Sequence, residues 1–108
     1  DPGSVYTFYK KLIAMRHNNA TIATGEWNLV AADSEQVYSF TRTSGDDTIL
    51  VIVNLTDRTA QVPAEVAQLL EDGVGESQVL LSTYDAAHSV KSVARGELAR
   101  WEGVVIQL

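Results

Sequence analysis

The stretch TILVIVNL, residues 48–55, is apolar on both of its faces. Side chains alternate along a strand, so Ile49, Val51, Val53 and Leu55 point one way and Leu50 and Ile52 the other. A strand with one wet face would show polar residues at every second position. This strand therefore belongs in the middle of a sheet, covered on both sides. Just upstream, QVYSFTRT (36–43) is separated from it by SGDD, and Gly and Asp between two β-rich runs mark a hairpin. A two-residue turn at Gly45-Asp46 sets Tyr38 opposite Val53, Phe40 opposite Val51 and Arg42 opposite Ile49. Aromatic against β-branched is a favourable cross-strand pairing. A slip by one residue would turn Tyr38 and Phe40 to the wrong face, which fixes the register. Tyr38, Phe40, Val51 and Val53 are the expected centre of the core.

One cover is at hand in the N-terminal segment, where FYKKLIAMR (8–16) has helical spacing. Asp1 or Ser4 can cap it, Pro2 suits a first turn, and Lys10, Lys11 and Arg16 sit where the dipole favours cations. Asn18 and Asn19 favour its end, giving a helix over about residues 3 to 18. At 100° per residue, Met15, Phe8, Leu12, Val5, Tyr9, Ile13 and Tyr6 fan across roughly half the circumference, where a helix on one sheet needs an apolar stripe of about 100°. A helix so apolar asks for two partners. Without the second, it should roll onto the sheet over Leu50 and Ile52, or pair with another copy through Phe8, Leu12 and Met15 in a two-fold contact.

The rest reads as short strands and turns. GEWNLVA (25–31) is a strand with Trp27 and Leu29 on one face and Val30 offset. TAQVP (59–63) is a short edge strand closed by Pro63, and AEVAQLLED (64–72) is a short helix or a loop. SQVLLST (77–83), HSVKSV (88–93) and GVVIQL (103–108) complete the strands, with LLEDGVGES (69–77) as a connection. Seven to eight short strands joined by turns, preceded by one α-helix, predict a mainly β protein built as an antiparallel β-sandwich.

At 108 residues this is a single domain with one core. The net charge of −6 repels phosphate backbones and argues against a nucleic-acid partner. No apolar run is long enough to span a membrane, and no secretory leader is legible. Cysteine is absent, which excludes disulfides and thiolate metal sites and suits a cytoplasmic protein.

Chemistry is sparse. There is no phosphate loop, dinucleotide fingerprint or zinc spacing, so no cofactor or metal is expected. His17 and His88 stand apart, without cysteine or paired acids near them in sequence. No serine has the turn and the oriented histidine that a nucleophile needs. The pairs Asp46-Asp47 and Glu71-Asp72 fall in a turn and a loop, where carboxylates are ordinarily solvated. NAT (19–21) and NLT (54–56) match the glycosylation pattern, but Asn54 lies in a core strand. Trp27, Trp101 and Tyr84 are candidates for stacking on sugar rings. Each also suits the ordinary role of filling a small core and satisfying its polar atom.

The order of SVYTFYKKLIAMRHNNATIATGEWNLV, VYSFTRTSGDDTILVIVNLTD, VLLSTYD and GELARWEGVVIQL resembles the C-terminal end of family 13 α-glucosidases, the oligo-1,6-glucosidase branch above all. Arg100 stands where the family pattern leads us to expect proline before Trp-Glu. The resemblance implies that residues 1–20 are the last helix of a (β/α)₈ barrel and residues 21–108 a C-terminal β-sandwich of the α-amylase type. It implies a parent acting on α-glucosidic bonds of isomalto-oligosaccharides or related sugars. The parent's catalytic carboxylates would lie in barrel loops outside this sequence, so no residue here inherits a catalytic role. The expected function is a non-catalytic accessory domain supporting that barrel, and the alternative is a carbohydrate-binding module. Val5, Phe8, Leu12 and Met15 are then the barrel-facing or self-association patch.

Overall fold

A computed structural model of the chain describes residues 2–16, 25–30, 36–45, 47–70 and 75–108. Helix α1 spans Pro2–Arg16, so the expected extension to residue 18 lies outside the described residues. The strands are β1 (Glu26–Val30), β2 (Val37–Ser44), β3 (Asp47–Asn54), β4 (Ala60–Gln61), β5 (Val79–Ser82), β6 (Glu97–Leu98) and β7 (Gly103–Gln107). Two more helices, α2 (Ala64–Leu69) and α3 (Ala86–Arg95), and a 3₁₀ turn at Glu76–Gln78 lie between them.

Five strands form one antiparallel sheet in the order β1-β2-β3-β7-β5, and β4 pairs with β6 in a small second sheet. As its two apolar faces require, β3 is interior, hydrogen-bonded to β2 on one side and β7 on the other. The hairpin register is the one its turn dictates: Tyr38 pairs with Val53, Phe40 with Val51 and Arg42 with Ile49.

Each face of the sheet has its own cover. On the first face Ile49, Val51, Val53 and Val105 pack with Phe8 and Leu12 of α1, flanked by Tyr9, Met15, Phe40 and Leu81. On the second face Leu50, Ile52, Val104 and Ile106 pack with Val66 and Leu70 from α2 and its end, and with Ala60 and Leu98 of the small sheet. The expectation that α1 rolls over Leu50 and Ile52 is thus corrected. The small sheet and α2 already fill that face, and α1 takes the other. Leu55, read as a core residue, is exposed beyond the end of β3.

The strand expected at residues 88–93 is the middle of helix α3. Its two valines suggest a strand, but Val90 and Val93 stand three apart, a helical spacing, and the caps agree with it. Asp85 Oδ1 accepts the His88 amide at 2.7 Å, closing the first turn. Gly96, at φ 77°, ends the helix in the left-handed conformation that costs glycine little. Phe40, expected at the centre of the core, is half-buried and touches the rings of Trp27 and Tyr38. The largest buried side chain on that face is Phe8 instead.

Candidate functional site

The most polar buried constellation centres on Glu102, which has no exposure at all. It sits in a tight turn just before β7. Its amide donates to Ala99 O at 3.1 Å and its carbonyl accepts the Asn54 amide at 2.8 Å. Its carboxylate turns back over that loop. Oε1 accepts Ser92 Oγ at 2.9 Å and the Ala99 amide at 2.8 Å, and Oε2 accepts Ser89 Oγ at 2.8 Å. Three donors suit an ionised carboxylate and offset the several kcal/mol of its desolvation. The spacing of Ser89 and Ser92 puts both hydroxyls on one face of α3, where their small side chains leave room for the carboxylate.

The donors form a chain with a fixed direction. The Tyr84 amide donates to Ser82 Oγ at 3.2 Å, and Ser82 Oγ lies 2.6 Å from Ser89 Oγ. Because Ser89 spends its proton on Glu102, Ser82 must donate to Ser89. His88 Nε2 stands 3.6 Å from Glu102 Oε1, beyond a hydrogen bond. Its ring stacks on Tyr84, centroids 4.4 Å apart, and the Tyr84 hydroxyl donates to Arg100 O at 2.7 Å.

This grouping of Glu, His and Ser is not arranged as a nucleophilic centre. Ser89 and Ser92 are fully buried, and each serine donates to the carboxylate where a nucleophile would donate to an imidazole. The cluster is a polar tie between α3 and the turn before β7. Nor do two surface grooves among the described residues supply the two facing carboxylates that glycoside hydrolysis uses. One, of about 280 Å³, runs along β5 and holds Asp85; the other, of about 540 Å³, is lined by Asn28, Thr41, Thr43 and Thr48 and holds Glu65. Asp47 is exposed, while His17, Asp46, Glu71 and Asp72 lie outside the described residues. Among the described residues no group of three His, Asp or Glu side chains could hold a metal ion. No helix among them is long and apolar enough to cross a membrane.

Among the described residues, the three aromatic residues singled out in sequence share no ring contact. Trp27 is on β1, 45 % exposed, its ring 6.1 Å from Phe40 and inclined by 36°. Tyr84 is equally exposed but engaged with His88 and Arg100. Trp101 is half-buried at φ 54°, its amide donating to Thr56 O at 3.0 Å. Among the described residues no ring contact links Trp27 with Tyr84 or Trp101. Asn54 is fully buried, with its Nδ2 donating to Arg58 O and Ala99 O at 2.8 and 2.9 Å, so the NLT tripeptide has no free amide. On α1, Phe8 and Leu12 face the sheet and Met15 is half-buried, while Tyr6 and Ile13 are exposed. A second partner at Phe8 or Leu12 would require the helix to leave the sheet. The side chain of Val5 lies outside the described residues.

Sequence reasoning passed over Glu102, Ser89 and Ser92. The available signal was the Asp85 cap and Gly96 stop around Ser-x-x-Ser, which marks a helix with one small, polar stripe facing a lone acid.

No family model matches the chain. An oligo-1,6-glucosidase of Parageobacillus thermoglucosidasius is 30 % identical over 112 aligned residues, covering 100 % of this chain and 18 % of the relative. Another, from Halalkalibacterium halodurans, is 33 % identical over 87 residues, covering 79 % of this chain and 14 % of its own length. A crystal structure of a trehalulose synthase MutB variant superposes with a TM-score of 0.66 at 28 % identity, over 100 % of this chain and 18 % of that one. The chain thus spans less than a fifth of the length of these relatives. Over its whole length the chain is similar to the C-terminal, β-rich part of larger glycoside hydrolases of the oligo-1,6-glucosidase type.

Proposed function

We propose that the chain is a non-catalytic accessory domain of a family 13 α-glucosidase, covering one flank of its (β/α)₈ barrel and stabilising it. In this reading α1 is the last helix of the barrel and residues 21–108 form the C-terminal domain. The parent hydrolyses α-glucosidic bonds of isomalto-oligosaccharides or related sugars, and the lack of cysteine supports a cytoplasmic location. The carrying observation is the match of the whole chain to a region that makes up only 18 % of an oligo-1,6-glucosidase. The sealed state of Glu102 supports it, since a carboxylate with no exposure and three internal donors meets no substrate.

The exposure of Trp27 favours a second reading, a sugar-binding module. Its nearest ring is inclined rather than coplanar, which makes a poor platform for a pyranose.

The test is Glu102→Gln in the complete gene product. The accessory role predicts a lower melting temperature with kcat and KM on isomaltose unchanged at 25 °C. A fall in kcat with an unchanged melting temperature would defeat it.

A further inference from the structure

The five-stranded sheet has two edges, β5 and β1, and they differ in kind. At the β5 edge the pairing with β7 is broken by a register shift between Val79 and Leu81. Such an irregularity discourages a further strand from docking. At the other edge β1 keeps unbroken register with β2, from Glu26 opposite Thr43 to Val30 opposite Ser39. Its sequence, EWNLV, holds neither proline nor lysine, the residues that ordinarily blunt an edge. Glu26, Trp27, Asn28 and Leu29 are all exposed. Every second residue of an edge strand turns its amide and carbonyl away from its one neighbour. In β1 that row is a regular template for another strand.

Both faces of the sheet are open beside this edge. On the face that carries α1, Trp27 and Leu29 are 45 % and 42 % exposed. Behind them, on β2, the half-buried Phe40 pairs with Leu29 and lies 6.1 Å from the Trp27 ring. On the opposite face Asn28 and Val30 line the groove of about 540 Å³ with Thr41, Thr43 and, from α2, Glu65 and Leu69. An added strand would find room for its side chains on both sides.

We propose that the β1 edge pairs with the β1 edge of a second copy, about a two-fold axis through Asn28, so that the two sheets become one. The strand is complementary to itself. Residues paired across an antiparallel ladder share a face, so each residue can meet only one an even number of positions away. Of the registers this allows, the one centred on Asn28 engages all five residues. It sets Glu26 opposite the partner's Val30, Trp27 opposite the partner's Leu29, and Asn28 opposite the partner's Asn28. No like charges meet, and the two Trp–Leu pairs withdraw exposed apolar surface from water. The contact is isologous and closes at two copies. A pairing this short belongs to the weak, transient class of interfaces. Each copy carries a net charge of −6, so association should tighten as salt screens the repulsion.

Asn28 is exposed and lies on the axis, so a charge placed there meets its own copy. The experiment is sedimentation equilibrium of the 108-residue chain as wild type, Asn28→Lys, Asn28→Glu and an equal mixture of the two variants. Circular dichroism checks that each variant keeps its strands. The wild type should dimerise at high concentration, more tightly at high salt, with Trp27 emission shifting to the blue as dimer forms. Each variant alone should associate more weakly, by up to about fivefold, because like charges stand directly opposite. The mixture should regain at least the wild-type affinity. A chain that stays monomeric at every concentration would overturn the proposal. So would a dimer indifferent to both charges, or a mixture no tighter than its components. Tryptophan fluorescence that responds to isomaltose but not to chain concentration, and is lost in Trp27→Ala, would give the edge to a sugar and overturn it too.

Discussion

A Cβ placed on Gly103 would stand 2.9 Å from the ring of Phe8. Position 103 opens β7 and pairs with Val53, so the absent side chain is the hollow in which the helix rests its largest buried residue. Contacts below 3.0 Å force one partner to move. Gly103→Ala should destabilise the chain by about 1–3 kcal/mol, and Phe8→Ala by about 3–5 kcal/mol. The pair is coupled, so Phe8→Leu should recover part of the loss in Gly103→Ala. Urea unfolding of the two single variants and the double variant measures this; strict additivity would mean that helix and strand do not meet there.

Glu102 joins α3 to the turn before β7 through Ser89, Ser92 and the Ala99 amide. Removing the acid strands three buried donors, so Glu102→Ala should cost about 3–5 kcal/mol. Ser92→Ala removes one bond to a charged acceptor and should cost about 1.5–3 kcal/mol. Denaturant midpoints report both, and a cost for Glu102→Ala within 0.5 kcal/mol, the range of an ordinary surface change, would remove the residue from the fold's supports.

The Tyr9 phenol is held above its usual value of 10.0 by burial first and by Tyr38 second. The neutral form is the one favoured in the folded chain. Its contribution is therefore complete below the unfolded value and is lost as pH rises through the folded one. Stability should fall more steeply above about pH 10 in the wild type than in Tyr9→Phe, whose ring cannot ionise. Melting temperatures between pH 8 and pH 11 test this, and parallel profiles would contradict it.

The sheet was legible because its signals are local and mutually consistent. The two apolar faces of β3 demanded an interior strand, and one turn set the pairing of Tyr38, Phe40 and Arg42. The face chosen by α1 was not legible, because it depends on Val66, Leu70 and Leu98 already filling the other face. Residues 88–93 misled because β-branched Val90 and Val93 favour a strand by residue type, although their three-residue spacing is helical. The helix is decided by Asp85 and Gly96, each three residues outside that window. Glu102 escaped notice for a related reason. Its partners come from two elements, and only the folded chain brings Ser89, Ser92 and Ala99 around one carboxylate.

Assay of the purified 108-residue chain on an aryl α-glucoside decides whether it supplies packing alone, as proposed, or chemistry as well. The account predicts release of phenol indistinguishable from buffer, because the buried carboxylate of Glu102 neither protonates a leaving group nor attacks an anomeric carbon. Turnover clearly above buffer that disappears in Glu102→Gln would contradict it.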